Sequence, residues 1–218
     1  MTLEGTNTYL YGAWPCAVID PGPDDQGHLD AVRMAAEERG GIGLVLLTHS
    51  HGDHADGAGR FGVEVGQPED GEEHLGLRAV ATPGHAPDHV CLMTADGVCF
   101  SGDLVLGEGS TFVPPDGGSL AAYMASLRHM QEETIELIAP GHGPWITDPA
   151  AKLAEYIEHR EMRERRLLAA LQRGERSRDA LLDEAWSDVP PQMREAAAMV
   201  MQAHLDKLAA EGRLPSGI

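Results

Sequence analysis

Apolar residues fall in short runs closed by polar clusters through the first two thirds of the chain, then switch to a helical spacing that persists almost to the end. Strands are predicted over 6–12 (TNTYLYG) and 16–22 (CAVIDPG), the second stopped by Asp-Pro-Gly. Leu29, Val32 and Ala35–Ala36 recur at helical intervals ahead of two glycines, which predicts a helix ending there. IGLVLLTH (42–49) has the length and content of a buried strand. GLRAVATPGH (76–85), HVCLMTADGVCFSGD (89–103) and IELIAPGH (135–142) supply further strands, with a hairpin turn at Asp96-Gly97. Ser119 opens an amphipathic helix over 119–133.

After Thr147 the character changes. Asp148 caps and Pro149 begins a long helix, along which Leu153, Tyr156, Ile157, Arg160, Glu164, Leu167, Leu168 and Leu171 keep near-helical spacing until Gly174. SRDALLDEAW and PPQMREAAAMVMQAHLDKLAAEG read as two more helices, the last with Met193, Ala197, Val200, Met201, Leu205 and Leu208 on one face. The 218 residues thus divide into an α/β portion, 1–148, and a small helical domain, 149–218.

Four predicted strands end in a glycine-flanked polar cluster: TH at 48–49, PGH at 83–85, SGD at 101–103 and PGH at 140–142. Glycine lets each chain turn tightly and present the polar side chain at the strand's carboxyl end. The first cluster continues as THSHGDH, with His49, His51, Asp53 and His54 within six positions. A solvated polar loop is the plain reading of that segment alone. In an extended loop, however, residues 49 and 51 point one way while 53 and 54 diverge, so one segment can serve two neighbouring cations. His49 and His51 need His85 to build one site; Asp53 and His54 need His142 for the other. Asp103 has two oxygens to bridge both, and the N/O donor set suits zinc, with iron or manganese as alternatives.

Charge is unevenly spread. Residues 1–150 hold five arginines, no lysine and 23 acidic side chains; residues 151–218 hold eleven basic and twelve acidic ones, for a net of −19. So acidic a front portion repels polyanions. In HREMRERR (159–166) the arginines interleave with Glu158, Glu161 and Glu164, which predicts a salt-bridged solvated face rather than a nucleic-acid track. Cys16, Cys91 and Cys99 sit in apolar strand contexts without CxxC spacing, as buried small hydrophobes. His28, His74, His129, His159 and His204 read as surface or helix-face residues, and His89 as a neighbour of the ligand loop. With no membrane-length apolar run and no signal-peptide pattern, the expected location is cytoplasmic, away from the membrane.

THSHGDH, followed by PGH (83–85), SGD (101–103) and PGH (140–142), resembles the metallo-β-lactamase superfamily, matching its T-H-x-H-x-D-H motif at every fixed position. The resemblance implies a four-layer αβ/βα sandwich with metal ligands on loops along one edge. It implies two zinc ions held by His49, His51, Asp53, His54, His85, Asp103 and His142, with Asp53 also catalytic and Asp20 orienting a ligand histidine. MTLEGTNTYLYG, PGPDDQGHLDAV and the tail from EYIEHREMRERRLLAAL to HLDKLAAEGRL resemble, more narrowly, the group of β-lactamase-like protein 2, in which a winged-helix domain follows the hydrolase. That group includes endoribonucleases on single-stranded RNA and fungal thioesterases. The family pattern also carries a further strand ahead of residue 1 and a longer segment between residues 60 and 78.

The implied activity is hydrolysis of an ester, thioester, amide or phosphodiester bond by a metal-bridging hydroxide. Single-stranded RNA cleavage and an iron-dependent oxidation on the same scaffold are the alternatives. A small-molecule or acyl substrate is expected, and the helical tail is expected to wall the substrate site or form a homodimer. DNA binding is not expected, since the last helix is poor in basic residues.

Overall fold

The structure, a computed structural model, describes residues 5–215. The opening residues of the MTLEGTNTYLYG stretch, 1–4, lie outside them. Two sheets face each other. The first runs β1 (Tyr9–Tyr11), β2 (Cys16–Ile19), β3 (Ile42–Leu46), β4 (Glu64–Gly66), antiparallel between β1 and β2 and parallel thereafter. The second runs β5 (Glu73–His74), β6 (Leu77–Ala81), β7 (Val90–Thr94), β8 (Val98–Gly102), β9 (Leu137–Pro140), antiparallel except for the parallel pair β8–β9.

Residues of both inner faces interdigitate: Ala17, Ile19 and Leu46 of the first sheet meet Leu77, Ala79, Leu92, Phe100 and Ala139 of the second. Outside the first sheet lies α1 (Gln26–Glu37), whose Val32 packs with Val18 and Val45. Outside the second lie α3 (Leu120–Met130) and the first half of α4 (Pro149–Gln172), with Tyr123, Leu127, Leu153 and Tyr156 in one cluster with Cys91, Cys99 and Ile138. The result is the expected αβ/βα sandwich. The capping residues read from sequence both cap: Ser119 accepts from Ala122 N–H and Asp148 from Ala151 N–H.

The expected boundary after residue 148 falls at the N-terminus of α4, and this helix serves two cores. Its second half, through Leu167, Ala170 and Leu171, packs with α5 (Arg178–Ala185) and α6 (Arg194–Ala210), where Leu182, Trp186, Met201 and Leu208 close a separate cluster. No strand follows β9 among the described residues, and none of their helices is long and apolar enough to cross a membrane.

The expected solvated arginine face is corrected here. Arg160 and Arg163 are only 3 % and 4 % exposed. Both lie on the stripe Leu153–Tyr156–Arg160–Arg163–Leu167, which faces inward, whereas Arg165 and Arg166 do sit outside. Arg160 donates to Ser110 Oγ (3.0 Å) and Thr111 O and lies over the Tyr123 ring. Arg163 donates to Ala185 O (2.7 Å) and to both Asp188 oxygens (2.5 and 2.9 Å), over the Trp186 ring. His204, expected on the surface, is also buried, edge-on to Trp186.

Backbone bonds fasten the loops on one edge of the sandwich to each other. Val90 N–H donates to Thr48 O (2.8 Å), Gly141 N–H to Gly102 O (2.8 Å), and Asn7 N–H to Gly141 O (2.7 Å). Gly84 lets α3 join them. Its O accepts from Ser119 N–H, its φ is +142°, and an added Cβ would lie 2.3 Å from Tyr123 Cα. Gly84→Ala should therefore lower unfolding free energy by about 3 kcal/mol, from combined overpacking and backbone strain, measured by urea denaturation; an unchanged midpoint would refute this packing.

Candidate metal centre

The THSHGDH segment divides because of where a helix begins. The chain bends at Thr48 just after β3, and His51 (φ −63°, ψ 142°) is the residue before the single-turn α2 (Gly52–Ala55). Asp53 and His54 therefore project from a helical turn, with the His54 ring packed on His49 (centroids 4.2 Å apart) and facing His142 on its other side. The remaining candidates arrive on other loops: His85 after β6, Asp103 after β8, His142 after β9.

Asp20, directly after β2, anchors the segment. Its carboxylate accepts from Thr48 N–H (2.8 Å), Thr48 Oγ1 (2.7 Å) and His54 Nδ1 (2.8 Å). These three bonds hold a non-glycine residue at φ +48°, a conformation that costs of order 1–3 kcal/mol without such support. Gly102 is also required, since a Cβ at its φ of +45° would lie 2.4 Å from Thr48 Oγ1.

Hydrogen-bond partners fix the histidine tautomers. Phe112 O faces His85 Nδ1 (2.7 Å), Gly5 O faces His142 Nδ1 (2.8 Å) and the Asp20 carboxylate faces His54 Nδ1. Each partner can only accept, so each Nδ1 carries a proton and, in the neutral ring, each Nε2 keeps its lone pair. Thr48 Oγ1 spends its proton on Asp20 and so accepts from His49 Nδ1 (3.0 Å), leaving His49 Nε2 bare as well.

These nitrogens and His51 Nδ1 converge in two outer groups, linked through His49, His54 and Asp103. His51 Nδ1 lies 3.0 Å from His49 Nε2 and 2.9 Å from His85 Nε2. His142 Nε2 lies 3.3 Å from His54 Nε2 and 3.4 Å from Asp53 Oδ2. Asp103 stands between them. Its Oδ2 is 3.5 Å from His85 Nε2, while its Oδ1 is 3.5 Å from His54 Nε2 and 3.4 Å from His142 Nε2. Buried Asp103 Oδ1 has no proton donor of its own among the described residues. Electron pairs pressed this close without protons form a cage for cations, and all the donors are N or O, as zinc and its neighbours prefer.

Electrostatics agree. Burial opposes protonation, but the neighbouring Asp103 and Asp20 carboxylates lift the His54 pKa to about 10, so Nε2 attracts a second proton or a cation. Against burial, the His54 bond brings Asp103 down to about 2. A hydrogen bond to His142 lowers Asp53. Burial, reinforced by the neighbouring imidazoles, holds His49 neutral. Three carboxylates whose salt-bridge partners are all histidines thus create a field that calls for positive charge.

Two supporting residues do more than sequence reasoning assigned to them. His89, buried, accepts from Asp103 N–H (3.1 Å) and meets Thr82 Oγ1 (2.8 Å), which fixes the backbone presenting Asp103. Its position four residues after His85 hinted at proximity but not at this role. Thr48 links Asp20 to His49, and nothing in the spacing singles it out.

His51, Asp53, His85, Asp103 and His142 open onto a cleft of about 620 Å³. Loop residues Leu106, Ser110, Thr111 and Phe112 border it on one side, and Trp186, Val189, Met193 and α6 on the other. His159, Arg160 and Arg163 lie along its floor on α4.

Residues 60–142 match the family model described as the metallo-beta-lactamase superfamily, and residues 178–215 match the beta-lactamase associated winged helix domain. A beta-lactamase-like protein 2 homolog of Drosophila melanogaster is 33% identical over 98% of this chain and 85% of its own length. An atrochrysone carboxyl ACP thioesterase of Aspergillus chevalieri is 35% identical over 78% of this chain and 61% of its own. In fold the chain resembles a metallo-beta-lactamase family protein of Thermus thermophilus, with a TM-score of 0.77 at 23% identity over 98% of this chain and 91% of that one. With this motif set, this sandwich and these relatives, the chain belongs to the metallo-β-lactamase superfamily, within the group that carries a C-terminal winged-helix domain.

Proposed function

We propose that the chain is a hydrolase working with two metal ions, zinc before iron or manganese, and that its bond is an ester or thioester. The observation carrying this reading is the pair of bare-nitrogen groups with one Asp103 oxygen turned to each. In this reading His49, His51 and His85 hold one ion, Asp53, His54 and His142 the other, and Asp103 touches both. Ions so placed supply a Lewis acid for the carbonyl oxygen and an acidified water at neutral pH.

The chain's own groups do the rest. Asp20 locks the His54 ring, and His89 holds the Asp103 backbone. Asp53 engages His142 through Oδ2, leaving its other oxygen to orient a water and take its proton. Apolar lining across the cleft excludes bulk water from one side of the reacting bond.

Among the bond types the scaffold serves, an acyl carbonyl is favoured over a phosphodiester. The cleft's two arginines are buried and bonded to Ser110, Thr111, Ala185 and Asp188, so neither is exposed to pair with a polyphosphate backbone. A thioesterase among the relatives adds weight. Single-stranded RNA fits this lining less well, since its described residues include no row of exposed aromatics for stacking.

Protein purified without added metal should contain about two metal equivalents by elemental analysis, and Asp103→Ala should lose at least one with hydrolysis abolished. Stoichiometric iron with substrate-dependent oxygen consumption would replace hydrolysis by oxidation. Asp20→Asn should fold but lower metal affinity by about 10- to 100-fold in a competitive chelator titration, because the His54 ring loses its orienting carboxylate. Side-by-side rates on a thioester, a lactone, a β-lactam and single-stranded RNA should be highest for the thioester; a dominant RNA rate would overturn the bond assignment.

A further inference from the structure

We infer that the far side of the cleft is an acyl bay: Trp186, Val189, Met193, Ala197, Met199 and Val200 receive the apolar chain of the acyl group whose carbonyl lies at the metal centre. This rests on the hydrolase reading above, but its physical basis is separate.

The bay is a concave continuation of the candidate metal centre, built within one chain. Its six residues come from the end of α5, the following turn and α6, all from the C-terminal unit. Trp186 and Ala197 belong to the tail's core and Val189 and Val200 pack against it from a half-buried position, while half-buried Met193 and Met199, 40% exposed, leave apolar surface open to the cleft. Two methionines make the wall adaptable, as a lining for flexible chains should be.

The floor tells what does not bind. Arg163 is neutralised by Asp188 and stacked on Trp186, and Arg160, which has no carboxylate partner among the described residues, is buried with one nitrogen bonded to Ser110 and Thr111. His159 is kept neutral by burial and by these two arginines. The two guanidinium groups therefore act as braces. Arg160 ties α4 to the loop on the catalytic side of the cleft, and Arg163 ties it to the bay's wall. Both guanidinium groups are buried, so the surface presented by the bay's own six residues is uncharged and suits a hydrocarbon.

Length dependence tests this directly. Each buried methylene contributes about a fourfold gain in affinity until the bay is full. With the metal-loaded enzyme and p-nitrophenyl esters from acetyl to decanoyl, kcat/KM should climb about fourfold per methylene over the first several and then level off. Met199→Glu alters an exposed side chain outside both cores. It should lower the decanoyl rate about tenfold or more while leaving the acetyl rate within about twofold and the thermal midpoint unchanged.

Binding of 1-decanol to the same protein, followed by Trp186 fluorescence against a Trp186→Phe control, gives a readout free of turnover. Saturable binding that Met199→Glu weakens supports the bay. A flat chain-length profile, decanol binding untouched by Met199→Glu, or displacement of decanol by a single-stranded oligoribonucleotide would each overturn it. If no ester is hydrolysed at any length, the hydrolase reading fails, and the decanol titration still decides whether the bay exists.

Discussion

Mutual repulsion among bare ring nitrogens is the constraint around which this molecule is organised. Five imidazoles and two carboxylates occupy a few ångströms, and four of the rings direct a proton elsewhere, to Phe112 O, Gly5 O, Asp20 and Thr48. Such a cluster would fly apart on flexible loops. It holds because each loop is the end of a buried strand and is bonded to a neighbouring loop through backbone atoms. The sandwich is the frame that brings four strand ends to one edge, and the strained Asp20 is the fastening where that frame meets the cluster.

Much of this was legible beforehand. Buried strands announced themselves as apolar runs, and their ends as glycine beside a polar residue. Caps at Ser119 and Asp148 were readable because side-chain oxygens stand where a helix must satisfy free N–H groups. The candidate ligands were legible because metal chemistry tolerates few residue types. β4 and β5, at three and two residues, were invisible because strands so short carry no periodicity. They occupy the segment between residues 60 and 78.

Arg160, Arg163 and His204 misled for a different reason. Charge interleaving on α4 looked like a solvated face, yet Leu153, Tyr156, Arg160, Arg163 and Leu167 share one inward stripe at intervals of three and four. His204 likewise continues the stripe of Ala197, Met201 and Leu208 on α6. Position within the stripe outweighed residue type. A long guanidinium can be buried when carbonyls, a carboxylate and an aromatic face meet it, but those partners are distant in sequence. His89 and Thr48 belong to the same class: their roles depend on atoms brought close only by the fold.

α4 gives its first turns to one hydrophobic cluster and its last turns to another. A rod shared in this way cannot lose either half without exposing the other. The helical tail is accordingly no detachable accessory but a co-owner of the catalytic body's stability. Evolutionary change in the tail would then be felt at the mouth of the cleft, which makes this rod a natural conduit for reshaping that cleft without disturbing the candidate metal ligands.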